Sequence, residues 1–272
     1  MPGPTATYAR PLQDQSAIVV GATSGIGRAT AIALAVAGLR AIRLVGRSAA
    51  RGADALDAVR VAAPGAIDAD FIEADCADGA AAEAMATGAA RAMGRIDLLV
   101  TSAGGANLPE LLFKQPIGAI ESVLTRDLLP NLNAVRAVVP VMMDQPDGGA
   151  PGGCLLAVAS DAGKVATPGE TVIGAAMAAT IQFMRGVAVE GRRNGIRANT
   201  LTPSLVEGTP LTDRLMAEGT FSKKLFEKAR PMAALGPTYA EDLAALAVFL
   251  ASPAAAKITG QAISVNGGIS AA

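Results

Sequence analysis

The stretch Gly21-Ala22-Thr23-Ser24-Gly25-Ile26-Gly27 follows a short apolar run and opens a long Ala-rich one. Glycines at such a strand-to-helix turn let the chain reverse tightly and let its backbone approach a pyrophosphate. The N–H groups and positive end of the helix then hold the anion. The chemistry expected here is dinucleotide binding, with Thr23, Ser24 and Ile26 as the contacts between the glycines. Strand-to-helix turns of any kind favour glycine, so it is the place at the head of a strand–helix series that gives this one its meaning. Gly46-Arg47-Ser48 ends the second apolar run. An Asp or Glu there would bind a ribose 2′-hydroxyl and repel a 2′-phosphate. Arg47 instead can pair with a phosphate dianion and Ser48 can donate to it, so NADP(H) is expected over NAD(H). The plainer alternative is an exposed arginine on a solvated loop.

Residues for proton chemistry are scarce. The chain has no His and only two Tyr, Tyr8 and Tyr239. That excludes a Ser-His-Asp hydrolase, a His general base and a His-ligated metal site, and no metal is expected. Three carboxylates, Asp127, Asp161 and Glu170, could act as acids if desolvation raised their proton affinity. The plainer reading of Asp161 and Glu170 is that they solvate a loop or lead a helix.

The elements that must position these residues alternate along the chain. Short, mostly apolar β-like runs at Ala17–Val20, Ala41–Val45, Ala66–Glu73, Ile96–Val100, Cys154–Ala159, Ile196–Leu201 and Ala262–Val265 read as strands. Between them lie helices at Ile26–Ala37, Arg51–Ala62, Gly79–Met93, Pro116–Met143 (broken near Pro130), Glu170–Arg193 and Ala240–Ala251. Strands alternating with helices imply a parallel sheet covered on both faces. The expected architecture is α/β, a single-domain Rossmann-type doubly wound parallel sheet of about seven strands. Residues 1–15, with Pro2, Pro4 and Pro11, read as a flexible leader, and residues 16–272 as the dinucleotide-binding domain. The Gly/Pro-rich stretch Pro146–Gly153 reads as a loop. Residues 203–238 are too long for an ordinary connection and read as a substrate lid with a helical patch at Phe221–Ala229.

Composition narrows the classes further. Of 272 residues, 51% are hydrophobic and 3% aromatic, and the formal net charge is -1, which argues against nucleic-acid binding. The longest apolar runs, Ala29–Leu39 and Leu243–Ala251, fall short of the ~20 residues of a spanning helix. No membrane partner is expected. Cys76 and Cys154 have no paired spacing, which suits a reduced cytoplasmic setting.

The G-x-x-x-G-x-G spacing resembles the short-chain dehydrogenase/reductase family, and the resemblance runs over nearly the whole chain. Asp75, followed by Cys76, resembles the family's adenine-contacting Asp. Thr101-Ser102-Ala103-Gly104 resembles its N-N-A-G stretch. Arg197-Ala198-Asn199, Pro203-Ser204, Thr209-Pro210 and Asn266-Gly267-Gly268 resemble later motifs. The resemblance implies a nicotinamide site that also includes Asp75, Cys76, Ser102, Ala103, Gly104, Pro203 and Thr209. It also implies a homodimer or homotetramer, with assembly onto an active homologue left open.

The same resemblance implies an S-x12-Y-x3-K pattern in which Ser steadies the substrate oxygen, Tyr transfers the proton and Lys supports both. Ser160 fits the Ser; thirteen residues on stands Ile173, and four further Met177. No Tyr lies between Tyr8 and Tyr239, and no Lys between Lys164 and Lys223. The family's upstream Asn falls on Asp127, with Asn131 and Asn133 nearby. Ile173 and Met177 project from one helical face, so an apolar wall is expected beside the nicotinamide. The expectation is an atypical NADP(H)-dependent oxidoreductase. Ser160 orients a small, apolar substrate (iminium, activated alkene or carbonyl), Ile173 and Met177 line the pocket, and Asp127 is the replacement acid. A catalytically inactive subunit or NADP(H) sensor is the alternative.

Overall fold

The computed structural model describes residues 9–145 and 152–271. Tyr8 and the leader before it, residues 146–151 of the Gly/Pro-rich loop and Ala272 lie outside the described residues. The apolar runs form β1 (Ser16–Val20), β2 (Ala41–Gly46), β3 (Asp68–Glu73), β4 (Leu98–Thr101), β5 (Gly153–Val158) and β6 (Ile196–Thr202). β7 (Val206–Glu207) and β8 (Thr238–Tyr239) pair with each other, and β9 (Ala262–Ser264) completes the main sheet. Its order is β3-β2-β1-β4-β5-β6-β9, with every pair parallel.

Alternate side chains of β1 enter different cores. Ala17 and Val19 join residues of α1 (Gly25–Val36), α2 (Ala49–Ala62) and α9 (Ala240–Ala251). Ile18 and Val20 join α3 (Gly79–Met93), α5 (Leu129–Met143) and α6 (Thr171–Gly191). With a helical layer on each face, the central strands need no polar stripe, which is why β1, β2, β4 and β5 read as nearly continuous apolar runs. The strand order reverses between β1 and β4, so the loops leaving those strands diverge and open a crevice at their carboxyl ends.

The long helix expected at Pro116–Met143 is three pieces: α4 (Ala119–Val123), a π turn over Leu124–Leu128, and α5. Pro130, which has no N–H to give to the preceding turn, is the second residue of α5, directly after the π turn. The π turn carries Asp127, which is buried. Such turns often lie at functional sites. Residues 203–238 hold the expected helix α8 (Phe221–Ala229) and also α7 (Pro210–Leu215).

The part of the leader that is described is tied down, since the Gln15 side-chain amide donates to Ala251 O at 3.0 Å. Arg197 and Asn199 serve the scaffold: Arg197 donates to Leu250 O at 2.7 Å and Ala255 O at 3.1 Å, and Asn199 to Ile258 O at 3.0 Å. One helix, residues 171–194, is longer than the apolar runs read from sequence and is apolar enough by length and composition to cross a membrane. It packs on β6 and on the turn after β5, as a core helix does.

Candidate active site

The turn after β1 is built for close approach. Gly21 has φ +80°, and a Cβ on it would lie 2.5 Å from Ser102 O. A Cβ on Gly27 would strike the Gly21 carbonyl. Ser24 is the N-cap of α1, but its side chain makes no capping hydrogen bond, so the first-turn N–H groups stay open toward the crevice. These features fit a pyrophosphate. Asn131 fixes the facing loop by donating to Ala103 O at 2.8 Å and accepting from Ala103 N at 3.3 Å.

Arg47, Ser48, Asp75 and Cys76 lie at the carboxyl ends of β2 and β3, away from the deep cavity. Asp75 stands between two guanidinium groups, Arg126 at 3.4 Å and Arg47 at 4.0 Å. Ser48 caps α2, accepting from Arg51 N at 3.5 Å. Cys76 is buried, and burial with the neighbouring Asp75 charge pushes its thiol up to about 11. The methyl group of Thr23 packs against Gly46.

A cavity of about 220 Å³ fills the crevice between β1, β4, β5 and the 203–238 segment. Gly21, Ser24, Gly25 and Ile26 form one wall, and Ser102, Ala103 and Gly104 another. Ser160, Glu170, Ile173 and Met177 form a third, facing Pro203 and Thr209. The Ser160 hydroxyl accepts from Ala162 N at 3.2 Å, which leaves its own hydrogen for a ligand. Gly174 is held tightly against the Ala162 carbonyl, so α6 packs close to the Ser160 turn and brings Ile173 and Met177 beside that hydroxyl.

Of the three candidates for the upstream Asn position, Asp127 alone lines the cavity. Both its carboxylate oxygens are engaged: Ala106 N donates at 3.0 Å and Asn107 Nδ2 at 2.9 Å. Asn131 clamps Ala103, and Asn133 donates to Cys76 O and Ala77 O, each at 3.0 Å. Asp127 thus anchors the 105–107 loop. Glu170 is the carboxyl set apart by its surroundings. Burial, with the Asp161 charge adding, pushes it up to about 7. Asp161 is buried, whereas Glu170 is half-buried; Asp161 accepts from Ser270 Oγ at 2.9 Å, from Ser264 Oγ at 3.3 Å and from Asn266 Nδ2, and pairs with Lys164 at 3.4 Å.

The 203–238 segment supplies much of this cavity's wall. Leu215 and Phe226 reach its wall and pack with Leu205 in a small core of their own. Arg214 of α7 donates to Gly105 O at 2.7 Å and Ala106 O at 2.9 Å, so the segment is clasped to the loop that Asp127 anchors. Phe221, which opens α8, lies on Gly169, whose φ of +84° and lack of a Cβ admit the ring. The sequence reading missed Arg214, Arg126 and the network around Asp161. Each depends on partners far away in the chain, and no local spacing marks them.

A family profile described as Enoyl-(Acyl carrier protein) reductase matches residues 21–270. The chain is 32% identical to a 3-oxoacyl-acyl-carrier-protein reductase of Synechocystis sp., over 95% of this chain and 98% of that protein. It is 35% identical to D-threitol dehydrogenase of Mycolicibacterium smegmatis, over 94% of this chain and 93% of that one. Among solved structures, levodione reductase superposes with a TM-score of 0.85 at 26% identity, covering 94% of this chain and 97% of that one.

Proposed function

This chain belongs to the short-chain dehydrogenase/reductase family, and from that premise we propose that it is an NADP(H)-dependent oxidoreductase with an unusual active-site wall. The observation that carries the reading is the single cavity in which Ser160 stands beside Ile173 and Met177, between the glycine turn and the covering segment. When bound, the cofactor supplies a hydride. Gly21, the open N-terminus of α1 and Ser102 to Gly104 hold its pyrophosphate side. Arg47 and Ser48 favour a 2′-phosphate, with Arg126 adding positive charge on the other side of Asp75.

The chain's own residues do the rest. Ser160 directs its free hydrogen at a substrate oxygen, and Ile173 and Met177 give that substrate an apolar floor. Residues 203–238 act as a lid that excludes water, held by Arg214. The substrate is a small, largely apolar molecule bearing an iminium, an activated alkene or a carbonyl.

Ile173 and Met177 at the places where the family pattern has Tyr and Lys favour a second reading, a cofactor-binding subunit without turnover. Self-association suits either reading, since Phe113 and Ile117 are largely exposed, and a homodimer or homotetramer in the cytoplasm is the proposed state. Calorimetry with NADPH and NADH, followed by stopped-flow mixing of the loaded protein with iminium, enone and ketone probes, separates the two readings. Nicotinamide oxidation by any one probe supports the oxidoreductase. Tight NADPH binding with no oxidation across all three supports the inactive subunit.

A further inference from the structure

We propose that Glu170 is the proton donor of this site, and that the substrate group it serves is a ketone or aldehyde carbonyl seated between Ser160 and the Ile173–Met177 wall. The proposal rests on the oxidoreductase reading and deepens it.

Position is the first argument. Glu170, Ile173 and Met177 lie at i, i+3 and i+7, so they share one face of α6 and its cap, and all three line the cavity with Ser160. The second argument is the state of the carboxyl. Among the described residues it receives no hydrogen bond and no ion pair. Phe221 of the 203–238 segment packs on the preceding Gly169, and Phe226 lies in the cavity wall. Burial therefore favours the protonated form and holds the group at about 7, where an acid works best at neutral pH.

The charged groups on the surrounding elements agree with this. Asp161, on the turn after β5, is surrounded by donors and pairs with Lys164, and its charge discourages a second negative charge at Glu170. Asp127, on the π turn, is another carboxylate in the same wall, with both oxygens engaged. Glu110 accepts from Leu111 N at 2.7 Å, on the segment whose N–H bonds Gly169 O. Arg214 spends its fork on Gly105 and Ala106. The positive end of α6 works the other way, favouring ionisation, and is outweighed by burial. Burial first, and the Asp161 charge second, raise the proton affinity of Glu170, which is what suits it to be the donor in this wall.

The step balances. The carbonyl carbon accepts a hydride from the reduced nicotinamide, the C=O π pair takes the Glu170 proton to form O–H, and the carboxylate left behind recovers a proton from water. An iminium would need no such donor.

Infrared difference titration of the cofactor-free protein, wild type against Glu170→Gln, reads the carboxyl without turnover. A carboxylic-acid C=O band that disappears with a midpoint near 7, is absent in Glu170→Gln and moves to lower pH in Asp161→Asn is the expected result. A midpoint in the ordinary range near 4.5, or no response to Asp161→Asn, overturns it. Single-turnover oxidation of NADPH by cyclohexanone and by an N-methyl cyclic iminium gives the second readout. Glu170→Gln is expected to slow the ketone by roughly 10²–10⁴-fold, at least a hundredfold more than the iminium. Equal loss on both probes overturns the donor role alone. A wild-type protein that oxidises NADPH with neither probe, while Glu170 still titrates near 7, overturns the oxidoreductase reading and the donor role falls with it.

Discussion

The negative charge of Asp161 raises the proton affinity of Glu170. Asp161 sits among Lys164, Ser264, Asn266 and Ser270, all donors, whereas Glu170 lines the cavity. Burial does most of the work and the neighbouring charge adds to it. A residue that would otherwise only lead α6 becomes a group that changes charge near neutrality.

Stability should record that shift. The Glu170 carboxyl binds its proton more tightly folded, at about 7, than at its ordinary 4.5. The stability this contributes is present in full below the ordinary value and is lost as pH rises through the folded one. Glu170→Gln has no charge to bury, so relative to wild type it should gain up to about 3 kcal/mol above pH ~7.5 and nothing near pH ~4. Urea unfolding at the two pH values measures it; a gain at the acidic end would be the wrong sign.

Asp127→Ala should loosen the 105–107 loop. It strips acceptors from Ala106 N and Asn107 Nδ2 beneath the lid, a loss of about 1–3 kcal/mol. Hydrogen exchange at Ala106 and Asn107 should rise, while that in β1 and β4 stays slow.

Arg214→Ala removes the clasp between α7 and the carbonyls of Gly105 and Ala106. Both bonds are exposed, so global stability should change by less than about 1 kcal/mol. Exchange through 210–215 should quicken and KM for the ketone probe should rise several-fold. An unchanged exchange pattern would show that the lid is held elsewhere.

Arg47→Ala should weaken NADPH binding by about ten- to a hundredfold, as expected for one charge-assisted bond, and leave NADH within a fewfold. Calorimetry with both cofactors provides the comparison. Equal losses for the two would mean that Arg47 does not meet a 2′-phosphate.

Local pattern and spacing carried the sheet, the glycine turn and the Ser160–Ile173–Met177 wall into the sequence reading. The apolar runs predicted the central strands because β1, β2, β4, β5 and β6 are buried on both faces, and α8 falls at the expected Phe221–Ala229. What could not be read there depends on distant partners. Asp127 was read as the acid because it occupies the family's Asn position, but its oxygens are taken by a loop some twenty residues earlier. From sequence, Glu170 reads as one of three carboxylates that desolvation could make an acid, with a helix leader as its plainer reading. Its state is set first by burial and then by the charge of Asp161, which residues 264–270 hold in place. The break near Pro130 was legible as a break, but not as a π turn that carries a buried carboxylate.

The most direct test of the account is the pH dependence of NADPH oxidation by a ketone in single-turnover stopped flow. If the chain is a reductase whose proton comes from Glu170, the rate is level below pH ~6 and falls about tenfold per pH unit well above the Glu170 midpoint of about 7. A rate that stays level or rises through that range, or no oxidation at any pH, contradicts it.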